Sequence, residues 1–236
     1  VIVFVSTGFR SSNKEACLRS VREQTAPHEH LYIEASEQTP PKPAMQNLWE
    51  TVMGLPPDAI VAHLDGDDEL ARPDALAIVA AAYEDPDVWM TYGSQRVIDV
   101  NHSQADHRTK LLDDVPERQQ DCPSHLKTYR AWLFQKAHED PRAELLRVTR
   151  WPEGGSPVWA WRNYYRLWAW RNYYRCGAEL YPMLEMCGPA HRRYIPEVLV
   201  NYRYDLCENK RMTPAEWEQE QLEMREVRAL PARERL

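Results

Sequence analysis

Short apolar runs alternate with segments of helical spacing along the first ninety residues, and few folds accept that order. Val1-Ile-Val-Phe-Val5 is a β-branched run that predicts a strand, with Ser6-Thr7-Gly8 as the loop beyond it. Asn13 to Gln24 then places Ala16, Leu18 and Val21 at helical spacing, and Leu31-Tyr-Ile33 predicts a second strand. Past the breakers Pro40, Pro41 and Pro43, Ala44 to Met53 carries Met45, Leu48, Trp49 and Val52 as the next helix. Ala59 to Leu64 is a third strand, Pro73 to Tyr83 a helix and Val88 to Tyr92 a fourth strand. Strands and helices in alternation bury their apolar faces by forming a mostly parallel central sheet flanked by helices, the α/β class. Further on, 98–122 is polar and reads as a long loop, His125 to Ala137 and Ala178 to Met186 as helices, and Ile195 to Tyr204 as a late strand. The tail from Pro214 to Leu236 is charge-rich and reads as a surface helix.

A chain of 236 residues with 36 acidic and 29 basic side chains supports a core that needs no staple. The net charge of −7 disfavours wholesale binding to nucleic acid or anionic lipid, which attract positive surface. Cys17, Cys122, Cys176, Cys187 and Cys207 are scattered without a C-x-x-C pair, which reads as reduced thiols in a cytoplasmic protein. No run approaches the ~18 apolar residues of a membrane span.

The third strand runs into Asp65-Gly-Asp-Asp68. Ligands of open α/β sheets gather beyond the carboxyl ends of strands, where this cluster falls. Three carboxylates so close repel one another unless a cation neutralises them, and oxygen-only ligands suit Mg²⁺ or Mn²⁺. A solvated loop with helix-capping Asp residues ahead of Pro73 is the plainer reading. The histidines show no H-E-x-x-H spacing, so a zinc hydrolase has no support.

Six sequence stretches carry a resemblance. Val1 to Thr7, Ala62-His-Leu-Asp-Gly-Asp-Asp68, Pro86-Asp-Val-Trp-Met-Thr-Tyr-Gly93, His125-Leu-Lys-Thr128, and Tyr181-Pro-Met-Leu-Glu185 with Ile195-Pro-Glu-Val-Leu199 together resemble a family 2 glycosyltransferase of the GT-A fold. The order is kept over 1–204. The resemblance implies a nucleotide-sugar half (1–93), an acceptor half (94–204) and a charged helical tail (205–236). It implies inverting transfer of a sugar from a nucleotide-sugar, with a UDP-sugar as the expected donor, to a hydroxyl of a glycan, a protein or a modified DNA base.

Roles follow by the same resemblance. Asp65 and Asp67 match the DxD motif, serving donor and metal (Mn²⁺ or Mg²⁺), with Asp68 as a neighbouring ligand or hydrogen-bond acceptor. Thr7, Phe9 and Arg10 match the nucleotide-binding loop. Glu34 stands where the family has an Asp contacting the base, but here the chain reads Glu34-Ala-Ser-Glu37, which leaves the nucleobase open. His125 and Lys127 match a motif near the donor phosphates, and His191 falls where some relatives supply a third metal ligand. The base that takes the acceptor proton maps to Glu179, with Glu185 second; a spacing of six sets them roughly 120° apart on one helix. Nucleotidyl transfer and a non-catalytic binding module are the alternatives.

Trp159-Ala-Trp-Arg-Asn-Tyr-Tyr-Arg166 recurs unchanged as Trp168 to Arg175, a repeat of nine. Nine residues are two and a half helical turns, so the copies cannot make the same contacts on one continuous helix. A local duplication is the plain explanation; the sharper one is an acceptor platform, with Trp159, Arg162, Tyr165 and Trp168 stacking and pairing with the acceptor. The stretch from Arg142 to Arg175 carries +5, which leaves −12 for the remainder.

Overall fold

The computed structural model describes residues 1–8, 13–34, 37–38, 42, 44–99, 101–108, 110–121, 123, 126–139 and 172–204, together with 218, 225, 228–229 and 232–236. Phe9, Arg10, His125, Trp159, Arg162, Tyr165 and Trp168 lie outside the described residues. The strands are β1 (Ile2–Gly8), β2 (His28–Glu34), β3 (Ile60–Asp65), β4 (Glu69–Leu70), β5 (Met90–Ile98), β6 (Gln104–Arg108), β7 (Lys127–Arg130) and β8 (Arg192–Tyr202). The helices are α1 (Lys14–Arg22), α2 (Ala44–Met53), α3 (Ala75–Ala82), α4 (Ala131–Ala137) and α5 (Asn172–His191).

One sheet runs β2-β1-β3-β7-β5-β8-β4, with β6 paired to β5 off that path. β1 is parallel to β2 and β3, and β5 to β8. β7 is antiparallel to both β3 and β5, as are β4 to β8 and β6 to β5. The sheet is therefore mixed, and the mostly parallel expectation holds only in part. The reason lies in β7, which the helical spacing of Leu126, Tyr129, Leu133 and Phe134 hides in the sequence. Lys127–Arg130 form strand instead, and only Ala131 onward is helical. A four-residue strand whose first three positions are all buried shows no period of two, so tertiary packing decides.

The two faces are filled separately. Val3, Val5, Val61, Met90 and Tyr129 meet α2, α4 and α5 through Leu48, Phe134 and Leu180. Ile2, Phe4, Ala62 and Leu64 meet α1 and α3 through Cys17, Val21, Leu76 and Val79. Each Val, Leu or Phe sealed in this way contributes about 1.5–3 kcal/mol. The expected long loop over 98–122 instead contains the β5–β6 hairpin. Its turn is closed by the Asp99 carboxylate, which accepts from the amides of Asn101 and Ser103 at 2.8 and 3.0 Å.

α5 continues through Pro182 and breaks at Gly188, whose φ of 56° favours glycine. The chain end docks on this helix: the amide of Leu236 donates to the Met186 carbonyl at 3.0 Å. Among the described residues, no helix is long and apolar enough to cross a membrane.

Candidate functional site

Parallel pairing brings the carboxyl ends of three strands together. Thr7 pairs with Asp65 and Gly8 with Glu34, so the loop after β1, the end of β2 and the acidic turn after β3 share one edge. The amide of Asp68 donates to the Asp65 carbonyl at 3.1 Å, closing Asp65 to Asp68 as a tight turn. The amide of Gly66 donates to the Thr7 carbonyl at 2.9 Å, tying that turn to β1. A side chain at Gly66 would lie 3.0 Å from both the Gly8 Cα and the Thr7 carbonyl oxygen, so glycine is what lets the strands close. Thr7 Oγ1 is buried here and has no hydrogen-bond partner among the described residues.

Sequence reasoning missed Tyr32. Its ring crosses the edge so that the hydroxyl lies over Gly8 and Gly66, and Lys14 Nζ sits 4.8 Å from the ring centroid. The same ammonium lies 3.5 Å from Glu34 and 3.6 Å from Glu37. A period of two from Glu34 back to Tyr32 puts both on one face of β2, and that was the available signal.

The turn is gripped from two sides. Asn13 Nδ2 donates to the Asp67 carbonyl and to Glu69 Oε1, both at 2.9 Å. The Arg203 guanidinium lies 3.2 Å from Glu69, and its amide donates to Asp68 Oδ1 at 2.9 Å. Asp68 is thereby turned into the protein as a hydrogen-bond acceptor. Burial, and then the charges of Asp67 and Asp65, hold its pKa well above the usual carboxylate range. The Asp65 side chain, by contrast, is 37% exposed. Among the described residues, no group of three His, Cys, Asp or Glu forms a metal cage. The oxygen-only donors of Asp65 and Asp67 are of the type that hard divalent ions take.

Behind the turn lies a buried polar cluster. Glu179 of α5 is 0% exposed and accepts from His63 Nδ1 at 3.1 Å, Tyr129 Oη at 3.2 Å and Lys127 Nζ at 3.1 Å. Burial alone would raise the Glu179 pKa, but the charges of Lys127 and His63 hold it well below the carboxylate range. A general base must reach the proton that it takes, and one held anionic by an ammonium is weak. Glu179, the residue expected as base, faces three donors inside the core. Glu185 fares alike: it is buried and held by both Arg118 nitrogens, with the Arg233 amide donating to Oε2 at 2.9 Å. Lys127, expected near donor phosphates, is 2% exposed and turned to Glu179.

His191, expected as a third metal ligand, sits beside Trp89. Its Nδ1–H donates to the Asp87 carbonyl at 2.8 Å and its ring stacks on Trp89 at 3.6 Å. Trp89 is level with Arg130 and Ile60, five residues before Asp65 along β3. At ~3.3 Å per residue that is roughly 16 Å away, too far to share an ion. The described cysteines Cys17 and Cys187 are free, and burial pushes both thiols up to about 12, so neither is a nucleophile.

No protein-family model matches the sequence, and no curated protein matches it. Among solved structures, the chain superposes on S. aureus TarS with a TM-score of 0.53 at 9% identity, over 94% of this chain and 38% of that one. It also superposes on S. aureus TarS 1-349, with a TM-score of 0.53 at 10% identity, over 97% of this chain and 66% of that one. S. aureus TarS 1-349 in complex with UDP gives 0.52 at 11% identity, with coverages of 98% and 66%. The fold is thus of the GT-A glycosyltransferase type, and the chain spans two thirds or less of these structures.

Proposed function

We propose that the chain is an inverting, divalent-metal-dependent glycosyltransferase that transfers a sugar from a nucleotide-sugar, with UDP as the nucleotide, to an acceptor hydroxyl. The observation that carries this reading is the convergence of Thr7, Glu34, Asp65 and Asp67 on one edge of a sheet whose fold matches a protein solved with UDP. A bound Mn²⁺ or Mg²⁺, held by Asp65 and Asp67, supplies Lewis-acid stabilisation of the departing diphosphate.

The chain's own residues do the rest. The Thr7 hydroxyl is a buried hydrogen-bonding group beside Asp65, at the strand edge where the donor would lie. Tyr32, Lys14 and Glu34 wall the nucleoside end, where an ammonium over the ring and a carboxylate select among bases. Glu179 acts from behind, holding β3 and β7 to α5, and does not meet the acceptor. The repeat with Trp159, Arg162, Tyr165 and Trp168 is the acceptor platform in this reading, for a glycan, a protein or a hydroxylated base in DNA.

The test is a thermal-shift panel of UDP, GDP, CDP and ADP, each with and without Mn²⁺. The expected result is stabilisation by UDP that needs Mn²⁺ and disappears in Asp67→Ala. Binding of UDP with no metal dependence, or retention of that dependence in Asp67→Ala, refutes the metal assignment. Silence across the whole panel refutes the nucleotide-sugar reading.

A further inference from the structure

Within the buried cluster, one atom has no use in the account above. His63 is 3% exposed, and its Nε2 has no hydrogen-bond partner among the described residues. A buried ring nitrogen without a partner costs free energy, so its surroundings call for an explanation. The Asp65 carboxylate lies beside this nitrogen, with Oδ1 at 3.9 Å.

The ring cannot turn away from Asp65. Glu179 is an anion with acceptors only, so the proton in the 3.1 Å contact belongs to His63 Nδ1. The same carboxylate is pinned by Tyr129 and Lys127 from β7, and Lys127 is the register partner of His63 across the β3–β7 pair. Its α5 backbone is held as well, because buried His138 donates from Nε2 to the Glu179 carbonyl at 3.2 Å. The imidazole is therefore locked by groups from β7 and α5, and its remaining nitrogen faces the side of Asp65 away from solvent. A gap of 3.9 Å is slightly too long for a hydrogen bond, and a small rotation of Asp65 changes it.

We propose that His63 is a positioning residue for Asp65: the imidazole latched by Glu179 is the polar back wall that sets the rotamer of the Asp65 carboxylate, and through it the affinity for nucleotide and metal. The inference rests on the proposed glycosyltransferase reading and deepens it by linking α5 to the acidic turn. Sequence spacing could not reveal the link, since His63 and Glu179 stand 116 residues apart.

The test measures UDP affinity by calorimetry in saturating Mn²⁺, with stability from urea unfolding on the same samples. Contacts to charged groups set the scale, so His63→Phe should weaken UDP binding about tenfold or more. Val61→Ala, a buried packing change two residues back on the same strand, controls for stability and should leave affinity within about twofold. Glu179→Gln keeps an acceptor for Nδ1 and should fall between wild type and His63→Phe.

The decisive arm is Asp65→Asn, in which His63→Phe should cause no further loss. Equal UDP affinity in wild type and His63→Phe overturns the proposal and leaves the glycosyltransferase reading standing. Losses that track stability alike in His63→Phe and Val61→Ala overturn it as well. A wild-type protein that binds no UDP with Mn²⁺ removes both readings.

Discussion

Substituting Gly66 by alanine tests whether the three strand ends are packed as tightly as their geometry implies. The added methyl would lie 2.9 Å from the Tyr32 hydroxyl, 3.0 Å from the Gly8 Cα and 3.0 Å from the Thr7 carbonyl oxygen. Two of those neighbours are backbone and cannot step aside without parting β1 from β3. Overpacking of this kind costs about 1–3 kcal/mol, and the Gly66–Thr7 hydrogen bond is strained with it. At about 2–4 °C per kcal/mol for a chain of this size, the melting temperature should fall by several degrees.

Gly54→Ala is the internal control, because its new methyl would meet nothing closer than 3.5 Å. Reduced unfolded-state freedom should leave that variant neutral or stabilised by up to about 1 kcal/mol. Gly8→Ala separates the causes further: its methyl would overlap the Tyr32 hydroxyl, the far end of a side chain, rather than backbone. That hydroxyl has no hydrogen-bond partner among the described residues, so Tyr32→Phe alone should be nearly neutral and should rescue part of the Gly8→Ala loss. Calorimetric melting of wild type, the four single variants and the Gly8→Ala/Tyr32→Phe double variant decides the matter. Gly66→Ala as stable as Gly54→Ala, or Gly8→Ala unmoved by Tyr32→Phe, refutes the close approach.

Two further outcomes follow from the buried cluster. Glu179→Leu removes the carboxylate facing Lys127 and His63 and should cost about 3–5 kcal/mol in urea unfolding, partly recovered in Glu179→Leu with Lys127→Met. His138 carries a pH dependence, since burial lowers its pKa from 6.5 to about 4. Between those values the unfolded chain binds a proton that the folded one refuses, so stability is full above pH 6.5 and falls as the pH drops towards 4. The loss is about 3 kcal/mol, and unfolding curves of His138→Gln across that window should be flatter than wild type by that amount.

The first half of the fold is legible because each element there follows one period. β1, β2 and β3 show apolar runs, and α1 and α2 show stripes, so the succession of elements and the position of the acidic turn follow. β7 is illegible for the opposite reason: Lys127 to Arg130 is short and buried at its first three positions, and the helical spacing of its neighbours masks it. The site divides in the same way. Asp65, Thr7 and Glu34 are placed by strand ends, which a sequence reveals. The roles of Glu179 and Lys127 depend on a pairing across 52 residues, and that of Glu185 on Arg118 67 residues before it. Burial decides whether a carboxylate acts as base or buttress, and no spacing encodes it. His191 closes α5 beside Trp89, a placement that nearness in the chain to a family pattern does not reveal.

The place of β7 also bears on how the chain can be cut and how it is made. β3 and β5 never touch; the strand that joins them comes from residues 127–130, and β8 is added from 192 onward. A fragment ending at Gly93 would hold every residue of the acidic turn and yet leave β3 with a bare, apolar edge where β7 belongs, a template for wrong pairing. During synthesis the same edge waits for some sixty residues of chain to emerge, so the strand bearing the chemistry stays half-paired until the segment that buttresses it arrives.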